Sequence, residues 1–211
     1  MDAAAPLPNP EGTAVPPLLR ALATVLDGRA GGYNFKGSPK RRAAGVLALF
    51  YQRAGELHLV FFRRTDHVPT HKGQVAFPGG SGEPADRDLH QTALREAREE
   101  LGIDDSRVVP LGALKPFDTF VSNFVVSPFV GWLVDPDPVF VPQTFEVEEI
   151  LEIPLDDLRV KRNRHRGRVP GFNVPIPLPY YKFGRAIIWG ATGGIVEELL
   201  GALDEAEATL T

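Results

Sequence analysis

A chain of 211 residues, 43% apolar and 24% charged, is long enough to bury a core in one domain and is neither disordered nor fibrous in composition. Its net charge of −4 argues against a protein that coats nucleic acid by bulk charge, and without cysteine it has no disulfide, thiolate zinc site or cysteine nucleophile. No run of about twenty apolar residues exists, so no membrane span is expected, and the lack of cysteine fits a cytoplasmic location.

Residues 1–17 are proline-rich with neither a basic start nor a continuous apolar stretch, so they read as a mobile tail and not a secretory signal. Leu18, Leu19, Leu22, Val25 and Leu26 then recur at helical spacing and predict a short amphipathic helix, ended at Asp27-Gly28 and followed by a glycine-rich connector to residue 39. The main domain is expected over 40–204, with 205–211 as a C-terminal tail. Ala43–Tyr51 and Leu57–Arg64, split by Ala54-Gly55-Glu56, predict a hairpin of buried strands. Gln74–Phe77 predicts a short strand halted by Pro78-Gly79-Gly80. Leu89–Leu101 has good helix formers and is followed by Gly102, where a helix end favours glycine. Beyond it, Val108–Leu114, Val125–Val134 and Val147–Ile153 predict strands. Segment 169–181 is too rich in proline for a central strand and reads as an edge or loop. Tyr181–Trp189 reads as a last strand and Thr192–Leu203 as a closing helix. Many strands with few helices point to an α/β or α+β sandwich.

Glu96, Glu99 and Glu100 lie at i, i+3 and i+4, so they share one sector of the Leu89–Leu101 helix. The stripe Leu89, Ala93, Ala97 and Leu101 must face the core, which places the three carboxylates at its margin. Like charges gathered there repel unless a cation balances them, and oxygen donors of this kind suit Mg²⁺ or Mn²⁺. The alternative is a solvated charged face laced with Arg95 and Arg98. The tight Pro78-Gly79-Gly80 turn brings backbone close to the same place, and Arg95 is available to bond Asp86 or Glu99 and hold the loop to the helix.

Gly80, Asp86 and the run Arg95-Glu96-Ala97-Arg98-Glu99-Glu100-Leu101-Gly102-Ile103 together resemble the Nudix box. The second half of the box matches at every fixed position. The first half differs by one extra residue before Arg95 and by Asp86 in place of glutamate. The resemblance implies an α/β/α sandwich of Nudix type with a mixed central sheet, acting as a pyrophosphohydrolase. It further implies Mg²⁺ or Mn²⁺ held by Glu96, Glu99 and Glu100 with the Gly79 carbonyl, a glutamate taking the proton, and Arg95 and Asp86 in support. A further carboxylate from outside the box is expected at Glu146 or Glu149.

Upstream, Arg64, Gly73 and Phe77-Pro78-Gly79-Gly80 resemble the lead-in of the coenzyme A pyrophosphatase branch, with Pro69 where that pattern has a second arginine. Phe145-Glu146-Val147-Glu148-Glu149 and Ile188-Trp189-Gly190-Ala191-Thr192 are similar to the same branch. A small nucleotide substrate is implied: coenzyme A or an acyl-CoA, or else ADP-ribose, another dinucleotide or a nucleotide sugar. A nucleotide-sensing module without catalysis is the reading outside enzymes, and either a monomer or a homodimer is compatible. Arg63, Arg64 and Lys72, with Gly80, are the candidate phosphate contacts because they flank the glycine turn. The run Lys161–Arg168 carries five Lys/Arg and reads as an exposed basic loop. No aromatic residue interleaves with it in sequence, so no stacking surface for nucleic acid is expected.

Overall fold

The computed structural model describes residues 15–29, 41–68, 71–119, 123–172 and 177–211. Residues 1–14 of the expected 1–17 tail, most of the connector and Pro69 lie outside them.

Helix α1 (Pro17–Arg29) runs past the expected stop at Gly28 and buries Leu19, Leu22 and Leu26. Strands β1 (Arg42–Arg53) and β2 (Glu56–Arg64) form the expected hairpin, but they pair only over Phe50–Arg53 and Glu56–Leu59. Beyond that point each strand takes another partner. Strand β3 (Val75–Ala76) joins β2, and β4 (Gly79–Ser81) joins β1. The expected glycine turn is thus itself a strand, placed against the centre of the sheet.

Helix α2 (Leu89–Leu101) has the expected bounds, because Asp88 caps its start by accepting from Gln91 N–H and left-handed Gly102 stops it. Strands β5 (Val108–Ala113), β6 (Phe117–Asp118), β7 (Phe124–Pro136) and β8 (Val147–Pro154) complete an eight-stranded sheet. The pair β1/β7 is parallel and the other pairs are antiparallel, so the sheet is mixed. Helix α3 (Leu155–Arg159) follows β8.

Along β1 the side chains alternate between two cores. Ala48 and Phe50 join the cluster of Leu19, Leu26, Leu199 and Trp132 beneath α1 and α4 (Gly190–Ala208), whereas Leu47, Leu49 and Tyr51 join Ala93, Ala97 and Leu101 of α2. Burial on both faces explains why β1 reads as a continuous apolar run. The architecture is an α/β/α sandwich, and no helix among the described residues is long and apolar enough to cross a membrane.

Three expectations change in the C-terminal third. The basic run is not a loop: after a 3-10 turn, Arg164–Gly167 forms β9. Tyr181–Trp189 is not one strand but the greater part of a hairpin, β10 (Leu178–Phe183) and β11 (Ala186–Trp189), because Gly184 takes a left-handed turn at φ 57°. These strands form a separate sheet in the order β11-β10-β9. The start of β10 therefore lies within a segment read as edge or loop, of which residues 173–176 are outside the described set. Finally, α4 continues to Ala208, beyond the expected tail boundary.

Candidate active site

The floor of the site is a crossing of backbone where side chains are barred. A Cβ on Gly45 of β1 would stand 2.1 Å from the Leu89 carbonyl oxygen at the start of α2. One on Gly79, whose φ is 150°, would stand 2.3 Å from the Gly45 carbonyl oxygen. Strand β4 pairs Gly80 with Gly45 and Gly79 with Val46, so the helix rests directly on the glycine strand.

This close approach gathers the glutamates of α2. Glu100 is 4% exposed and points inward, so it belongs to the buried face and not, as the sequence suggested, to its margin. Thr92 also faces inward, while Leu89 is only half-buried. The Glu100 carboxylate accepts the Gly79 N–H at 2.9 Å. Burial pushes its pKa up to about 8; the Gly79 N–H opposes the shift, and the charges of Glu96 and Glu146 add to it. Burial also raises Glu96, against the pull of Arg95. The Glu96 carboxylate lies over Gly80, within 2.4 Å of where a Cβ would be. Glu99 is on the outer side, half exposed.

The cations nearest these groups are arginines. Arg64 of β2 donates to Glu146 at 3.3 Å and stands 4.0 Å from Glu100, so one guanidinium spans a box glutamate and a glutamate from the turn before β8. Arg63 instead pairs with Glu149 at 3.3 Å. Of the two outside carboxylates, only Glu146 is charge-coupled to Glu96 and Glu100. Lys72 is exposed on the lead-in loop.

Arg95 makes a different kind of cluster. Its Nε and Nη2 donate to the two Asp86 oxygens at 3.1 and 3.2 Å, and Asp86 also accepts from Thr92 Oγ1 at 2.8 Å and Glu83 N–H at 2.9 Å. Arg95 holds Asp86 down at about 2. The same guanidinium reaches the Ser81 carbonyl, Glu96 at 3.1 Å and Glu99 at 3.3 Å, so it ties the glycine strand to the helix. Neither the Thr92 hydroxyl nor the Arg64 bridge was legible in the sequence. The Pro78-Gly79-Gly80 turn pointed to half of the glycine crossing; the other half is Gly45, a glycine inside an apolar strand.

An open cleft of about 750 Å³ lies elsewhere, between α1, α4 and β6, and is lined by Arg29, Lys115, Phe117, Glu197, Glu198 and Glu205. The carboxylate site lies apart from this cleft, over the glycine strand.

Comparison with known proteins gives this geometry its class. The NUDIX domain model matches residues 39–171. A relative from Yersinia enterocolitica, named an uncharacterized Nudix hydrolase NudL, is 44% identical over 146 residues, covering 67% of this chain and 71% of its own length. NudL of Yersinia pestis is 37% identical over 168 residues, covering 79% and 81%. Among solved structures, a MutT/nudix family protein from Enterococcus faecalis shares the fold with a TM-score of 0.53 at 12% identity, over 92% of this chain and 76% of that one. The NUDIX domain of Shewanella oneidensis NrtR, solved with ADP ribose, does so with a TM-score of 0.50 at 15% identity, over 88% and 98%. The chain belongs to the Nudix hydrolase family: it is a pyrophosphohydrolase acting on nucleoside diphosphate derivatives.

Nudix hydrolases generally use divalent cations. The donors here fit such an ion in kind and charge: oxygen ligands only, one of them a carboxylate buried without a full counter-charge. They are not already closed around a point, since among the described residues no three acidic or histidine groups converge tightly enough to enclose an ion. Arg95 and Arg64 pair with these carboxylates.

Proposed function

We propose that the enzyme hydrolyses the diphosphate of coenzyme A or an acyl-CoA, giving 4′-phosphopantetheine and adenosine 3′,5′-bisphosphate. The observation that carries the diphosphate chemistry is the buried Glu100 carboxylate on the glycine strand, facing Glu96 and Glu146. The coenzyme A assignment is supported by the lead-in Arg64, Gly73 and Phe77-Pro78-Gly79-Gly80 at the spacing of that branch.

In this reading Glu96, Glu99 and Glu100, with the Gly79 carbonyl, hold Mg²⁺ or Mn²⁺. When bound, the ion neutralises phosphoryl oxygens and acidifies water. Gly80 leaves room for the diphosphate beside Glu96, and Arg63, Arg64 and Lys72 bind its oxygens. Glu146 takes the proton of the attacking water. The water oxygen bonds to phosphorus, the anhydride P–O bond breaks, and its electron pair stays on the departing phosphate. Glu149 positions Arg63, and the Asp86–Arg95 pair fixes the strand against the helix.

A second substrate reading is favoured by one observation: Pro69 stands where the branch pattern has an arginine. Loss of that cation favours ADP-ribose or another dinucleotide or nucleotide sugar. A sensing module without catalysis is opposed by the full set of box glutamates. Coenzyme A, ADP-ribose and dinucleoside polyphosphates offered at equal concentration with Mg²⁺ or Mn²⁺, with products identified by mass, separate these readings. Preferential release of 4′-phosphopantetheine supports the proposal. Preference for ADP-ribose overturns the substrate, and no turnover of any diphosphate overturns the enzyme mechanism.

A further inference from the structure

The small sheet carries a feature that the carboxylate site does not use. Its register sets His165 of β9, Tyr180 of β10 and Trp189 of β11 in one cross-strand row. The other face is committed to the core: Tyr181, Ala186 and Ile188 are buried there, and Arg164, opposite Tyr181, pairs with Glu197 of α4. His165, Tyr180 and Trp189 therefore share the outward face, where His165 is exposed and the two larger rings are partly so.

The rings are ordered against one another. His165 stacks on Tyr180 with centroids 5.1 Å apart and planes 20° from parallel, and Phe172 leans on Trp189 at 4.8 Å. The Trp189 indole N–H is shielded from solvent and has no hydrogen-bond partner. Lys182, two residues beyond Tyr180 on the same face, is exposed. The stretch 161–196 holds seven Lys/Arg and no Asp or Glu in a chain whose net charge is −4, so positive charge is concentrated around this sheet.

Protection of an edge strand accounts for cations on β9. It does not account for a three-ring row across all three strands, or for a lysine on the central one. Stacked rings of partial exposure with an exposed lysine beside them are together the recognition chemistry of a planar base that bears phosphate. We propose that the outward face of the β9–β10–β11 sheet is a nucleobase-stacking platform formed by His165, Tyr180 and Trp189, with Lys182 taking the ligand's phosphate. The aromatic interleaving that the basic run lacks in sequence is supplied by the two strands paired beside it. Two sources offer this chemistry, a small nucleotide and single-stranded RNA. The first includes the enzyme's own substrate, because β11 packs against β3, which leads into the glycine strand.

The chain has two tryptophans, and Trp132 is 1% exposed in the core, so ligand-dependent tryptophan fluorescence reports on Trp189. Adenosine 3′,5′-bisphosphate and an oligoadenylate are titrated into the full chain with EDTA present to prevent turnover. Saturable quenching by at least one of them is expected. Tyr180→Leu, which keeps an apolar side chain, should weaken it about tenfold or more, and Lys182→Gln severalfold, with circular dichroism unchanged. Quenching by the bisphosphate alone assigns a small nucleotide; tighter oligoadenylate binding that falls steeply with salt assigns RNA. Absence of quenching by both ligands, or equal affinity in Tyr180→Leu, overturns the platform. Binding lost in Glu100→Gln but kept in Tyr180→Leu would place the ligand at the carboxylate site and overturn it as well. Because turnover is not measured, failure here leaves the hydrolase reading standing.

Discussion

Two acidic clusters, one just ahead of α2 and one near its end, meet opposite fates. Just ahead of α2, Asp86 accepts four hydrogen bonds, two of them from one bidentate arginine, and its pKa falls to about 2. Eight residues after Thr92, Glu100 has one backbone N–H at 2.9 Å, an arginine 4.0 Å away and two acidic neighbours, and its pKa rises to about 8. The first cluster is electrostatically complete and holds structure together. The second keeps an unmet demand for positive charge, which is what a hydrolase that recruits a cation requires.

The largest effect should come from removing that demand. Glu100→Gln keeps the shape and the Gly79 contact but lowers kcat by roughly 10²–10⁴, since metal stabilisation of a phosphoryl transition state is worth several kcal/mol. Its melting temperature without metal should equal or exceed that of the parent, and Mg²⁺ should no longer raise it. Activity within threefold of the parent would refute the role given to this carboxylate.

Next comes the complete cluster. Asp86→Asn leaves Arg95 without its main counter-charge and should cost about 1.5 kcal/mol by urea unfolding, the low end for hydrogen bonds to a charged group. An unchanged urea midpoint would show that the pair is dispensable.

The pH dependence of stability separates the clusters by sign. Glu100 keeps its proton in the folded state up to about 8, whereas the unfolded chain loses it near about 4.3. Its contribution is therefore complete below that lower value and is lost as pH rises through 8. Asp86 does the opposite: its contribution is present above its unfolded value near about 3.9 and is lost as pH falls toward 2. With EDTA, the urea midpoint should be lower at pH 8.5 than at pH 6, and Mg²⁺ should raise it more at pH 8.5. A midpoint that rises over that interval without metal would contradict the burial of a protonated Glu100.

The smallest difference is between the two outside carboxylates. Glu146→Gln should lower kcat at least tenfold more than Glu149→Gln, whose partner Arg63 touches the substrate in the proposed reading. Equal losses would erase the distinction drawn from their charge coupling.

Much of this was legible because it is local. The bounds of α2 follow from good helix formers and Gly102, and Glu96 and Glu100 share a sector by their i, i+4 spacing, while Glu99 lies on the outer side. What could not be read depends on distant pairing. Arg64 meets Glu146 across 82 positions of sequence, and Arg164–Gly167 becomes a strand only because Leu178–Tyr181 pairs with it. Glu100 looked marginal in the helical pattern. It is buried because the glycines at 45 and 79 let the helix sink toward the sheet.

That crossing also limits how the enzyme can change. A methyl group at Gly45 or Gly79 would collide with main chain, so neither position at the crossing is open to a larger residue. Retuning for a new substrate has to enter from the periphery, through the lead-in ahead of β3 and the small sheet that packs on it. In the proposed reading the bond broken and the molecule chosen are thereby set by separate parts of the chain, and selection can alter the second while leaving the first untouched.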